Sequence, residues 1–130
     1  MIKIVIPIQP ITKKNHQQIV QNRATGRKFV IPSSQYTKYE NECSWHLKLQ
    51  YKADPIECPV NVKALYYMGT RKKVDLTNLM EATHDVLVTC GVLADDNSKV
   101  ICSVDGSRVL YDKASPRTEI YIDKEDSLII

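Results

Sequence analysis

The chain has 130 residues, of which 43% are hydrophobic and 25% charged. That is the size of one domain, 1–130, with enough apolar material for a single core, and it excludes disordered, collagen-like and fibrous classes. The net charge of +3 conceals an asymmetry. Residues 1–39 carry Lys3, Lys13, Lys14, Arg23, Arg27, Lys28 and Lys38 with no Asp or Glu, so all 15 acidic side chains lie in residues 40–130. A basic arm on an acidic body suits a polyanionic partner, provided that folding does not mix the two halves. Cys43, Cys58, Cys90 and Cys102 form no C-x-x-C pair and match no zinc-finger spacing. The apolar start is too short and too interrupted for a secretion signal, and no run approaches the roughly 20 residues of a membrane span. The expectation is a cytoplasmic protein with reduced, mostly buried cysteines and no membrane partner.

Ile2, Ile4, Ile6 and Ile8 alternate with other residues and predict a first strand, ended by Pro10. Thr25-Gly26 marks a turn between two short strands near Gln18–Asn22 and Lys28–Ile31. Pro32-Ser33-Ser34 opens a helix that runs to about Tyr51, with Tyr36, Tyr39, Cys43, Leu47 and Tyr51 as its buried stripe. Val60, Val62, Ala64 and Tyr66 alternate in a second long strand to about Met68. A second helix spans about Leu76 to Thr89 and closes at Gly91. Leu79, Ala82, Val86, Leu87 and Cys90 form its core face, with Met80 at the margin; Thr77, Glu81, His84 and Asp85 form a polar stripe beside Asn78. Strands at Val100–Val104 and Arg108–Tyr111 flank Asp105-Gly106, a hairpin-turn or bulge signal, and Thr118–Ile122 is the last strand. The fold class is α+β: a mixed sheet with two helices packed on one face, in the order β-(β-hairpin)-α-β-α-β-β.

Three histidines without a nucleophile-elbow context and four glycines without a phosphate-binding loop leave acidic chemistry as the candidate. Asp75 precedes the second helix, Glu81 and Asp85 project from it, and Asp95 and Asp96 follow it. Carboxylates beside basic residues suit phosphodiester hydrolysis, because hard oxygen ligands hold Mg²⁺ and lysines and arginines hold a nucleic-acid backbone. A purely structural reading competes. Asp75 then caps a helix, Asp95-Asp96-Asn97 makes a turn, and Glu81 and Asp85 form a solvated face. Trp45 reads as core or dimer interface, His84 as a solvated helix residue, and Arg108 and Arg117 as phosphate grips or as partners of Asp105, Asp112 or Glu119.

The stretch from Val74 to Leu87, with Gly91-Val92-Leu93-Ala94-Asp95-Asp96 after it, resembles the RusA family of Holliday junction resolvases. That family's pattern is Asp-x-Asp-Asn, a lysine three residues later, an aspartate four beyond that, and an Asp-Asp pair after a Gly-hydrophobic turn. Pro10 to Asn15 resembles its N-terminal Lys-Lys-Asn segment, Ser34 to Glu40 the start of its first helix, and Pro116 to Ile120 its final strand. The resemblance covers about residues 2–123. It implies a small, dimeric, Mg²⁺-dependent endonuclease, with Mn²⁺ as the substitute ion, of the kind often carried by phages or prophages. Such an enzyme nicks four-way DNA junctions in recombination and repair. Carried over, Asp75 and Asp96 match catalytic aspartates, Asp95 is the neighbour of Asp96, and Lys13, Lys14 and Asn15 match a segment near the DNA backbone. Two positions depart: Thr77 replaces the second aspartate and Glu81 the lysine. Thr77 and Glu81 are helix-surface neighbours, so the expectation is that the acidic ligand has migrated. Asp75, Glu81 and Asp96 then form the catalytic set, Asp85 and Asp95 complete the metal set, and Arg71, Lys72, Lys73 or Lys14 replaces the lost cation. The alternative is a catalytically impaired junction-binding protein of the same fold.

Overall fold

The structure is a computed structural model that describes residues 1–13 and 17–125, without the side chains of Gln17, Gln18 and Pro32. The elements in chain order are β1 (Ile2–Ile6), β2 (Gln17–Gln21), β3 (Lys28–Pro32), α1 (Ser34–Gln50), β4 (Val60–Met68), α2 (Leu76–Thr89), β5 (Ile101–Ser103), β6 (Arg108–Tyr111) and β7 (Arg117–Lys124). β2 and β3 pair only with each other, as the antiparallel hairpin expected around Thr25-Gly26. The remaining five strands form one mixed sheet. β4 lies at its centre, antiparallel to β7 on one side and parallel to β5 and β6 on the other; β1 adds antiparallel to the far side of β7.

Alternation decides which face of the sheet is buried. Every second residue of β4 from Val60 to Met68 is buried, and in β7 Thr118, Ile120 and Ile122 are. Pairing of Ile4 with Ile120 and of Ile120 with Ala64 puts these side chains on one face. Both helices cover that face. Cys43 and Leu47 of α1 and Val86 and Leu87 of α2 join Ile4, Ile6, Val62 and Ile122 in one cluster, while Leu79 packs with Ala64, Tyr66 and Met68 in a second. Burial of a single Leu or Ile side chain of this kind contributes about 1.5–3 kcal/mol.

α1 begins where its sequence requires: the Ser33 hydroxyl accepts from the Tyr36 amide at 3.1 Å. Its expected stripe is buried at Tyr36, Cys43 and Leu47 and partly buried at Tyr39 and Tyr51. At the other end, Gln50 closes the free edge of β1, accepting from the Val5 amide at 2.9 Å and donating to the Val5 carbonyl at 2.7 Å. α2 ends at Gly91, whose φ of +77° few other residues adopt.

Two open readings are decided, and the expectation of mostly buried cysteines is corrected. Of the hairpin turn and the bulge that Asp105-Gly106 signals, the structure has the bulge: β5 and β6 both run parallel to β4, at Val60–Asn61 and at Leu65–Met68, so they are successive segments of one edge. The turn at Asp105-Gly106, with Gly106 at φ +87° against the Lys63 side chain, interrupts that edge as a bulge does. Trp45 is 61% exposed and not core, because it lies about 200° around the helix from both Cys43 and Leu47. Of the four cysteines, all free, only Cys43 is fully buried. Among the described residues no helix is long and apolar enough to cross a membrane.

Candidate active site

α2 carries the acidic stripe because its other face is committed to the core. Leu79, Ala82, Thr83, Val86 and Leu87 are buried, which leaves Thr77, Glu81 and Asp85 exposed on the opposite side. The helix is fixed to the sheet by a polar contact that periodicity alone did not find. Thr83 donates to the Leu79 carbonyl at 3.0 Å, and its oxygen lies 2.7 Å from the hydroxyl of Tyr66 on β4. The single Thr83 proton is used on the carbonyl, so Tyr66 is the donor of the second bond.

The loop after α2 brings the remaining acids back toward the helix. Val92 and Leu93 are buried, and a short parallel bridge between Ile56 and Leu93 pins the chain: Ile56 donates to Val92 at 3.0 Å and Ala94 donates to Ile56 at 3.0 Å. Asp95 then shapes the loop with both carboxylate oxygens, accepting from the Asp96 amide at 2.7 Å and from the Asn97 side chain at 3.1 Å. The charge of Asp96 reaches His84 and Asp85 of α2.

Burial, then the charges of Glu81 and Asp96, push the Asp85 carboxyl above its ordinary value, and Lys13 and His84 oppose them. His84 is half-buried rather than solvated as expected; burial lowers its pKa, while Asp96 and Asp85 act in the opposite direction. The charges of Glu81 and Asp85 also act on Tyr36 of α1. Burial, then Glu40, Asp85 and Glu81, raise that phenol well above its usual range.

Asp75 stands apart, at the N-cap position of α2. Its side chain caps no backbone amide and instead accepts from the Asn78 side chain at 3.1 Å. It precedes Glu81 by about 9 Å of helical rise and Asp85 by about 15 Å. Among the described residues, none of Asp75, Glu81, Asp85, Asp95 and Asp96 belongs to an ion pair. Also among them, no group of three or more His, Cys, Asp or Glu side chains is placed to hold one metal ion.

The candidate cations divide. Lys14 and Asn15 lie outside the described residues. Arg71, Lys72 and Lys73 are exposed between β4 and α2, and Arg71 stacks over the Tyr111 ring, 3.9 Å from its centroid. Arg117 is a structural cation, bonded to Asp112 at 2.8 Å and to Glu119 at 2.7 Å.

A family model described as Endodeoxyribonuclease RusA matches residues 7–123, which include every candidate residue above. The chain belongs to the RusA family. A Crossover junction endodeoxyribonuclease RusA of Aquifex aeolicus (strain VF5) is similar to it, at 28% identity over 96 residues, which cover 74% of this chain and 72% of the relative. The exposed carboxylates of α2 sit at Glu81 and Asp85, and position 77 is an exposed threonine.

The oxygen donors suit a hard divalent cation, and their uncompensated charge suits one as well. The absence of a three-residue cluster is compatible with Mg²⁺, which proteins usually hold through one or two carboxylates while water and phosphate oxygens fill the other positions.

Proposed function

We propose that this protein is a structure-selective DNA endonuclease that resolves four-way junctions by Mg²⁺-dependent phosphodiester hydrolysis in recombination and repair. The observation that carries the reading is the set of carboxylates along α2 and its return loop without an ion-pair partner among the described residues, in a chain of the RusA family. Asp75, Glu81 and Asp96 are the proposed catalytic carboxylates; one or two of them would hold Mg²⁺, with Mn²⁺ as the substitute ion, since no three are placed to share one ion among the described residues, and Asp85 and Asp95 are the further candidates. A bound cation supplies charge stabilisation at the scissile phosphate and a more acidic water. Lys13, with Lys14, Asn15, Arg71, Lys72 and Lys73, holds the DNA backbone against the repulsion of the acidic stripe. Free cysteines agree with a reducing, cytoplasmic setting.

The active form is proposed to be a homodimer, since two equivalent sites match the two-fold symmetry of a four-way junction. Ile19, Phe29 and Val30 of the hairpin and Trp45 and Leu49 of α1 are exposed apolar side chains, and they support this. A two-stranded hairpin alone is marginally stable and benefits from a cover.

Thr77, together with the lack of a three-ligand cluster, favours a second reading: a junction-binding protein with impaired catalysis. Two measurements decide. Junction binding without metal is expected to weaken steeply with salt, as several phosphate contacts require, and added Mg²⁺ is expected to bind saturably and start cleavage. Tight binding with no Mg²⁺ uptake at millimolar metal supports the second reading, and salt-insensitive or absent binding overturns both.

A further inference from the structure

Among the described residues there are two arginine–tyrosine stacks, and they differ in a way that bears on substrate recognition. Arg117 lies 3.8 Å from the centroid of Tyr67 and is neutralised by Asp112 and Glu119. Arg71 lies 3.9 Å from the centroid of Tyr111 and has no ion-pair partner among the described residues. The first stack is closed by its own carboxylates. The second is exposed and carries its charge outward.

The register explains why Tyr111 is exposed. Tyr66 pairs with Val109 and Met68 with Tyr111 in the parallel ladder between β4 and β6, so the four side chains share the helix-covered face of the sheet. Tyr66 and Met68 are buried with Leu79 of α2 above them. Val109 and Tyr111 lie one strand further out, past the helix, and stay 38% and 40% exposed. The segment leaving β4 passes over this uncovered edge. Thr70, Arg71 and Lys72 together with Val109 and Tyr111 line a recess of about 350 Å³, which is within the range of small-ligand pockets. Arg71 is four residues before Asp75 in the chain, on the segment that leads into α2.

We infer that this recess receives an unpaired base of the DNA substrate, stacked on the Arg71–Tyr111 pair, with Lys72 near its phosphate. Flat aromatic rings and guanidinium planes are the surfaces on which splayed bases stack, and base stacking tolerates any sequence. Bases at a branch point lose a stacking neighbour and can reach such a surface; bases inside a duplex cannot. The inference rests on the DNA-endonuclease reading and adds to it a basis for preferring branched over linear DNA.

The test is photocrosslinking of the full-length protein, in chelator, to four-way junctions carrying one 5-iododeoxyuridine at successive positions around the crossover. The expected result is a crosslink to Tyr111 from a position beside the crossover and none from linear duplex. Tyr111→Leu and Arg71→Lys are expected to weaken junction binding about fivefold or more, the scale of one lost stacking contact, and Tyr111→Leu to leave duplex binding unchanged; Tyr111→Phe is expected to behave as wild type. If Tyr111→Leu does not fold, Arg71→Lys against Tyr111→Phe carries the comparison. Junction binding with no crosslink to Tyr111 at any position overturns the inference and leaves the endonuclease reading standing. Absence of junction binding overturns the reading itself. A change in oligomeric state without a change in junction affinity assigns the recess to a protein contact and overturns the inference.

Discussion

The hydroxyl oxygens of Tyr66 and Thr83 lie 2.7 Å apart in the core, joining the central strand to the helix that carries the acidic stripe. Thr83 keeps its bond to the Leu79 carbonyl when Tyr66 is removed, whereas Tyr66 loses its acceptor when Thr83 is removed. Thr83→Val is therefore expected to destabilise the fold by about 1–3 kcal/mol, the cost of a buried unsatisfied donor, and Tyr66→Phe by about 1 kcal/mol. Urea unfolding of the two variants checks the order.

Arg117 sets an acid-side pH dependence. Its hydrogen bond is the largest cause holding Asp112 low, and the bonds from Tyr121 and then Arg117 hold Glu119 low. Depressed carboxyl values mean that this stability is present above the ordinary carboxylate range and is lost as pH falls through the depressed values. Arg117→Met is expected to shift the acid unfolding midpoint upward, read by circular dichroism against pH. An unchanged midpoint contradicts the assignment.

Glu81 tests the migrated ligand. If it replaces the carboxylate missing at Thr77, Glu81→Gln weakens Mg²⁺ binding and cleavage, and Thr77→Asp added to Glu81→Gln restores part of both. Isothermal titration and junction cleavage measure the two effects. Near-normal activity of Glu81→Gln removes Glu81 from the ligand set.

Ile19 and Val30 face each other across the hairpin at 72% and 58% exposure. Their joint replacement by serine is expected to leave folding nearly unchanged, as for most exposed sites, and to shift a dimer toward monomer in sedimentation. A variant that keeps the wild-type mass distribution excludes the hairpin from the interface.

Much of this was legible in the sequence, for physical reasons that also mark where legibility stopped. The alternation of β4 and the periodicity of α2 are local signals, and both elements begin and end where those signals place them. Asp105-Gly106 signalled a turn, but whether the chain reverses or continues there depends on the open edge of β4, a partner more than 40 residues away. Thr83 lies on the core side of α2 by angle and escaped notice because it is polar; its burial depends on Tyr66. Asp95 read as a turn former from its neighbours and as a ligand from the resemblance, and both its oxygens are engaged in the turn. The action of the Asp96 charge on Asp85 and His84 depends on a loop pinned by the bridge between Ile56 and Leu93, which no local pattern encodes. Tyr111 had no signal beyond being aromatic in a short strand.

Cleavage of an end-labelled four-way junction tests most directly whether the acidic stripe is an active site. Wild type is expected to cut with Mg²⁺ or Mn²⁺ and not without metal. Asp75→Asn and Asp96→Asn are expected to abolish cutting while binding the junction as well as wild type or better, since each removes a negative charge facing DNA. Wild-type cleavage rates in both variants would contradict the proposed site.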